Sequence, residues 1–194
     1  NAEQDRVPLI AISGAVDAAE AMRYNHQVFD HSAAFARICK ASFTAPSGGV
    51  GAMIDKALAI ATAGRPGPVH IDLPIRVAET EEPEPAPVLR GPGLLSAPAP
   101  GPALDRARAM FAAAKRPVMM AGLDVLNEPG GARAVRGFVE KHGIPLVTTY
   151  KAKGILPEDH PLALGGHGLS PKSDKLVLPV FEAADLVIAA GYDP

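Results

Sequence analysis

Apolar residues in the first half of the chain recur at the spacing of one helix face. Between residues 48 and 63 they follow an i, i+3, i+4, i+7 order, which predicts an amphipathic helix. Gly64 is suited to end that helix in a left-handed conformation, and the two prolines after it prevent the helix from continuing. Val69–Leu73 then predicts a short strand, which Pro74 ends.

Two further elements are predicted before that helix. Val7–Val16 has the continuous apolar character of a buried strand, with Gly14 opening a loop after it. Ala33–Phe43 is predicted to be a helix, with a polar and irregular segment before it. The side chains expected on its inner face are Phe35, Ile38 and Cys39. We expect Cys39 to pack in the core rather than to act as a nucleophile.

Residues 81–102 divide the chain, because they contain seven prolines and three glycines. Such a run forms neither a regular helix nor a central strand and predicts an interdomain linker between residues 1–80 and 103–194. After it, strands are predicted at 118–121, 144–148 and 185–191, helices at 104–114 and 131–142, and a loop at 151–172. Pro179 splits the run from Lys175 to Ala184, and a kink or a fresh helix start is expected there.

Strands that alternate with helices predict an α/β fold, with parallel sheet layers covered by helices on both faces. The net charge of −2 carries no signature of nucleic-acid binding, and no apolar run approaches the roughly 20 residues of a membrane span. A single cysteine and the lack of a signal-peptide pattern lead us to expect a cytoplasmic protein.

Glycines mark the strand ends of the second segment, where an open α/β sheet places its ligands. Gly122, the corner at Thr148–Tyr150, Gly191 and the run Gly165–Gly168 are the candidates. Because no Gly-x-Gly-x-x-Gly fingerprint is present, the favoured alternative is that these glycines only end strands and form turns. No histidine or cysteine spacing indicates a metal site. Asp72 is an acid or base candidate, with a turn cap as its alternative.

Several motifs resemble the thiamine-diphosphate enzyme family, and its acetolactate synthase-like members in particular. They are Ala-Gly-Arg-Pro-Gly-Pro-Val at 63–69, Thr-Tyr-Lys-Ala-Lys-Gly at 149–154, Gly-Gly-His-Gly at 165–168 and Gly-Tyr-Asp-Pro at 191–194. The resemblance implies a fragment of a larger enzyme. Residues 1–80 would close the pyrimidine-binding domain, and 103–194 would be a Rossmann-like central domain truncated at its C-terminus.

The resemblance also implies site residues and cofactors. The positions expected to line a nucleotide such as FAD are Gly122, Thr149, Gly166, His167, Gly168 and Gly191. FAD is not favoured, because flavin-binding synthases usually carry methionine at the position of Gly166 and many carry arginine at that of Tyr192. Gln27 lies in a loop that resembles the Gln-x-x-Asp stretch of the family near the active-site mouth. The resemblance implies a substrate contact for Gln27, with a plain solvated loop as the alternative.

No catalytic residue is expected within the chain. In this family the cofactor-activating glutamate and the motif that holds Mg²⁺ lie in parts that would precede and follow these residues. The expected function is therefore that of a fragment, inactive alone, of a homodimeric or homotetrameric carboligase or decarboxylase. That enzyme would use thiamine diphosphate and Mg²⁺ on 2-oxo acids. The alternative is a non-catalytic nucleotide-binding or structural α/β module.

Overall fold

The computed structural model describes residues 1–26, 28–82 and 100–192. Gln27 and most of the predicted linker lie outside the described residues. The chain forms two compact units, residues 1–93 and 94–194, and each is considered by itself. No helix within the described ranges is both long enough and apolar enough to cross a membrane.

A three-stranded parallel sheet organises the first unit. Its central strand, β3, pairs with β1 on one side and β2 on the other. The elements are β1 Ile10–Ala15, α1 His31–Phe35, β2 Ala41–Thr44, α2 Val50–Thr62, β3 Val69–Pro74 and α3 Ile75–Ala78. The prediction of α2 and β3 is confirmed. Gly64 has a φ of 56°, the left-handed conformation that the helix end requires.

The two faces of this sheet differ in chemistry, because successive strand residues point to opposite sides. Val69 and Ile71 are buried on the face that packs with Ala57 and Ala61 of α2, and they form an apolar core there. His70 and Asp72 alternate with those residues and are buried on the other face. The first sheet therefore has one apolar face and one polar face.

The predicted helix at 33–43 is wrong beyond its first turn. Helix α1 ends at Phe35, and β2 begins at Ala41, where pairing with β3 places Phe43 opposite Ile71. Sheet pairing and burial of Phe43 in the apolar core override the local helical pattern, and Ile38 is left 53% exposed.

The prediction that Gly14 opens a loop is also wrong. Gly14 lies inside β1, opposite Leu73 of β3. The ladder continues through this position to Ala15, so the strand ends one residue later than the glycine suggests.

The second unit contains a four-stranded parallel sheet in the order β6-β5-β4-β7. Its strands are β4 Pro117–Ala121, β5 Leu146–Thr149, β6 Ala163–His167 and β7 Leu186–Ala190. Its helices are α4 Pro102–Ala113, α5 Asp124–Asn127, α6 Gly131–His142 and α7 Pro171–Ala183. Val139 of α6 packs with the core on one face, and Val177 of α7 packs with Val118 and Val147 on the other. The α/β fold class is thus confirmed, with parallel strands and helices on both faces of this sheet.

One local prediction for the second unit is wrong. The predicted loop at 151–172 contains β6, which the glycines within it conceal, and a bulge beside β5 accommodates Gly165 at φ 85°. At Pro179 a fresh helix start is not seen: helix α7 continues through this residue, although proline removes one helical hydrogen bond. Packing of Val180 and Phe181 against the sheet compensates for that loss.

Candidate functional site

The polar face of the first sheet carries a cluster of titratable side chains at its carboxyl end. Ser13 of β1 and Thr44 of β2 both stand opposite Asp72 on the central strand. His70 lies two residues before Asp72 on the same face. In open α/β sheets this edge is where ligands bind.

His31 and Asp72 form the shortest polar contact of this cluster. The His31 Nδ1 atom lies 2.5 Å from Asp72 Oδ1, and both side chains are about nine-tenths buried, with 10% and 11% of their surface exposed. Because an ionised carboxylate only accepts hydrogen bonds, Nδ1 is the donor. The neutral ring then carries its lone pair on Nε2, the arrangement of an acid–base histidine held by a carboxylate.

His70 lies beneath this pair and is fully buried. Its Nδ1 is 2.7 Å from the hydroxyl of Ser42, and its Nε2 is 3.0 Å from the hydroxyl of Ser13. Both ring nitrogens of a neutral imidazole are therefore satisfied. Burial lowers the pKa of His70, an effect that the charge of Asp72 opposes and that of His31 reinforces. His70 is thus a neutral structural ring at pH 7.

The short helix α1 places His31 over the sheet. Asp30 caps its N-terminus by accepting a 2.8 Å hydrogen bond from the backbone N–H of Ala33. Phe35 stacks on the ring of His70 at a centroid distance of 4.0 Å, and Phe29 meets His31 edge to face at 4.1 Å. Aromatic packing and one polar pair therefore hold α1 on the sheet.

Sequence reasoning found only part of this cluster. Asp72 is named there as an acid or base candidate, and the structure places it in a hydrogen bond rather than in a turn cap. The alternation through β3 could have assigned His70 to the same face as Asp72. His31 lies 41 residues away, and no local signal predicts its contact with Asp72.

The six positions predicted for a nucleotide lie along the carboxyl edge of the second sheet. Thr149 and His167 are paired on β5 and β6, and Gly166 stands opposite Thr148. Gly122 follows β4, and its N–H donates to the Ala190 carbonyl at the end of β7. The structure therefore gathers these six positions, listed as Gly122, Thr149, Gly166, His167, Gly168 and Gly191, at one edge.

Two of these glycines are required by the packing of the protein itself. A Cβ atom at Gly122 would lie 2.6 Å from Tyr192 Cα, and one at Gly191 would lie 2.5 Å from the backbone nitrogen of Val125. Gly191 also has a φ of 55°. Close approach of β7 to the start of α5 is a structural reason for glycine at both positions, and their place beside a nucleotide stays a prediction.

Gly168 and His167 are different. Gly168 has a φ of 107° with open space where a Cβ would lie, and its N–H donates to Asp174 at 2.9 Å. His167 Nε2 donates to the Leu164 carbonyl at 2.8 Å. Its Nδ1 is enclosed without a hydrogen-bond partner and lies 3.7 Å from Asp174 Oδ1. The polar groups at this corner are therefore engaged or enclosed within the unit itself.

A cavity of about 340 Å³ opens beside the same strands. Thr148 and Gly165 form part of its wall, and the ion pair between Lys153 Nζ and Glu158 Oε1, 2.6 Å long, lies against it. Within ranges 1–26, 28–82 and 100–192, no three histidine, cysteine or acidic side chains are grouped to hold a metal ion.

Comparison with known proteins extends this picture. Residues 104–194 match the family described as the thiamine pyrophosphate enzyme, central domain. The acetolactate synthase isozyme 1 large subunit of Escherichia coli (strain K12) is 35% identical over 98% of this chain and 33% of its own length. The probable acetolactate synthase large subunit of Methanococcus aeolicus is 36% identical over 88% of this chain and 30% of its own.

A third relative has a different name. The glyoxylate carboligase of Escherichia coli O157:H7 is 31% identical over 87% of this chain and 28% of its own length. The chain thus spans about a third of the length of the curated relatives it matches. It belongs to the thiamine pyrophosphate enzyme family. Within that family it is acetolactate synthase-like, and the resemblance seen in the sequence is confirmed.

Proposed function

We propose that this chain is part of a thiamine diphosphate-dependent enzyme that decarboxylates 2-oxo acids or joins them to a second carbonyl compound. The observation that carries the proposal is the extent of the similarity. It runs over 98% of the chain, through both units, in a relative named as an acetolactate synthase large subunit. The match to the glyoxylate carboligase supports 2-oxo acids as the wider substrate class.

When bound, thiamine diphosphate supplies a carbanion that attacks the carbonyl group of a 2-oxo acid and allows CO₂ to leave. Mg²⁺ would hold the diphosphate of that cofactor. Because no described part of this chain groups three metal-ligating side chains, we expect the metal ligands in other parts of the whole enzyme. We therefore propose that the 194-residue chain is inactive alone.

The edge of the second sheet is our proposed nucleotide site, with FAD still disfavoured. Thr149, Gly166, His167 and Gly168 would contact the nucleotide. Gly122 and Gly191 would shape the edge through their close backbone packing. Gln27 stays a proposed substrate contact. We further propose a cytoplasmic homodimer or homotetramer.

A second candidate function is a nucleotide-binding module without catalysis. The cavity of about 340 Å³ beside β5 and β6 favours it, because Thr148, Lys153 and Gly165 line a site that the second unit forms by itself. Calorimetric titration of the 194-residue chain with ADP and with FAD tests this candidate. Saturable binding supports it, and no binding of either compound removes it.

The test of the main proposal is CO₂ release from pyruvate and from glyoxylate by the protein expressed from the full reading frame that contains this chain. We expect turnover that requires added thiamine diphosphate and Mg²⁺, and none from the 194-residue chain under the same conditions. Absence of turnover with a panel of 2-oxo acids, in a folded and cofactor-saturated protein, would contradict the proposal.

A further inference from the structure

We propose that His31 is an acid–base catalytic residue for the carbonyl oxygen of the 2-oxo acid, with Asp72 as its positioning residue. This inference rests on the proposed function above and assigns a catalytic side chain to the first unit. It starts from the 2.5 Å contact between His31 Nδ1 and Asp72 Oδ1. A histidine whose Nδ1 is held by a carboxylate has one defined tautomer and one ring nitrogen available for proton transfer.

The second ring nitrogen of His31, Nε2, supports this role. No described residue forms a hydrogen bond with Nε2, and the atom is not among the enclosed, unpartnered nitrogens of the described chain. Of the two imidazoles in the cluster, His31 therefore has a ring nitrogen for a ligand. His70 has none, because Ser13 and Ser42 engage both of its nitrogens.

The surroundings of the His31–Asp72 pair favour an acid–base role over that of a solvent-exposed ion pair. Asp72 stands on the central strand at the carboxyl edge of the sheet, and only 11% of its side-chain surface is exposed. His70 Nε2 lies 3.7 Å from Asp72 Oδ1, so a neutral buried ring backs the carboxylate. Phe29 packs against His31 edge to face and limits its rotation. A buried carboxylate is best placed to balance a transient imidazolium charge.

The proposed step moves one proton. His31 first takes a proton from solvent on Nε2 and becomes an imidazolium. As the carbonyl carbon of the substrate gains a new bond, the π electron pair moves to the carbonyl oxygen, which takes that proton from Nε2–H. The imidazolium becomes a neutral ring whose Nδ1–H remains bonded to Asp72. When the carbonyl group is re-formed, Nε2 takes the proton back, and no oxidant or reductant is needed.

The test uses the protein from the full reading frame, assayed for CO₂ release from pyruvate. We expect His31→Gln and His31→Ala each to lower kcat by about 100-fold while KM for pyruvate stays within about threefold, since acid–base groups contribute roughly 10²–10⁴-fold. Added imidazole should restore part of kcat in His31→Ala only. Asp72→Asn should lower kcat by about tenfold, and His142→Gln, an exposed histidine of the second unit, should leave kcat unchanged.

The outcomes separate the two proposals. If the wild-type protein turns over and kcat of His31→Gln lies within threefold of the wild-type kcat, the role of His31 is overturned and the proposed function stands. A loss of kcat that imidazole does not restore, accompanied by a lower melting temperature in both variants, shows a structural role and also overturns it. No wild-type turnover on any 2-oxo acid overturns the proposed function, and the role of His31 with it.

A second readout uses the 194-residue chain and does not depend on activity. Diethyl pyrocarbonate acylates accessible, unprotonated imidazole nitrogens. We expect peptide mapping to find His31 modified at pH 7 and His70 unmodified. Protection of His31 as complete as that of His70 would contradict an available Nε2.

Discussion

The two sheets of this chain share a parallel topology but present different chemistry at their carboxyl ends. The first sheet buries His31, His70 and Asp72 there, so its functional groups are side chains. The second sheet ends in glycines, so its edge is mainly backbone. One topology thus serves proton-carrying side chains in one unit and a closely packed backbone edge in the other. Substitutions at the first edge should therefore act through lost side-chain contacts, and those at the second edge through backbone packing.

The largest effect is expected for Gly191→Ala in the second unit. The added methyl group would overlap the backbone of α5, and the residue would still need a left-handed φ of 55°. Overpacking and strain together should cost about 3–4 kcal/mol of unfolding free energy. Urea unfolding, monitored through the hydrogen exchange of residues 100–192, measures this loss of unfolding free energy.

Gly137→Ala is the matched control for that variant. Gly137 lies inside α6, and a Cβ atom there meets nothing within 4 Å. We expect it to stabilise the second unit by about 0.5–1 kcal/mol, because alanine favours a helix over glycine. Equal effects of the two substitutions would show that the backbone at Gly191 is not closely packed.

The next largest effect is expected for His70→Ala in the first unit. It removes a fully buried ring, its stacking on Phe35, and the partner of the Ser13 and Ser42 hydroxyls. The loss should be about 3 kcal/mol. His26→Ala, at an exposed loop position, should change stability by less than about 0.5 kcal/mol. A loss below about 1 kcal/mol for His70→Ala would contradict the packed polar face.

The same histidine predicts a pH dependence of the first unit. Burial lowers the pKa of His70 in the folded state, so below the ordinary value of about 6.5 the unfolded chain binds a proton that the folded chain does not. This contribution should therefore reduce stability as the pH falls from 7.5 to 5. Urea midpoints across that range should show a weaker decline in His70→Ala. An identical pH slope in the variant would show that His70 is not the cause.

A smaller effect is expected for Lys40→Met, which removes a cap from the end of α2. The Lys40 ammonium donates to the carbonyl groups of Ile60 and Ala63, the latter at 2.6 Å. Its aliphatic stem also packs beside Gly67, and methionine keeps most of that contact. The cost should be about 1 kcal/mol by urea unfolding. Lys172→Met, in the second unit, is the control. If it lowered the unfolding free energy as much as Lys40→Met does, the cap at the end of α2 would be contradicted.

The smallest effect is expected in the second unit at low pH. The Asp185 carboxylate accepts hydrogen bonds from the backbone N–H groups of Lys115 and Arg116, both at 2.8 Å, and these bonds lower its pKa. Its stabilising contribution is therefore complete above the ordinary value and is lost as the pH falls through the lowered one. Asp185→Asn should show a weaker decline of stability between pH 4 and 2, measured by circular dichroism. If stability declines equally between pH 4 and 2 in the wild-type chain and in Asp185→Asn, this contribution of Asp185 is excluded.

Prediction from sequence succeeded where local signals determine the structure. The apolar stripes of α2 and α6 are complete within one helix, and Gly143 ends α6 at φ 64°. Strands β2 and β6 were missed because pairing with distant strands defines them: β2 follows a helical pattern, and β6 contains two glycines.

The same distinction applies to the candidate sites. Glycines after predicted strands indicated the edge of the second sheet, since parallel strands bring their carboxyl ends together. In the first sheet Asp72 was recognisable from its position at a strand end. The pairing of Asp72 with His31 joins residues far apart in sequence and depends on how α1 lies on the sheet. The roles of the nucleotide-edge residues and of Gln27 stay predictions.

The protonation of the histidine rings shows most directly whether the first sheet ends in an ordered acid–base network. Long-range ¹H–¹⁵N spectra of the ¹⁵N-histidine-labelled 194-residue chain at pH 7 distinguish the ring states. We expect a neutral His70 with one ring proton, and a His31 whose Nδ1 carries a proton that is bonded to Asp72. A doubly protonated His70, or a neutral His31 protonated only on Nε2, would contradict it.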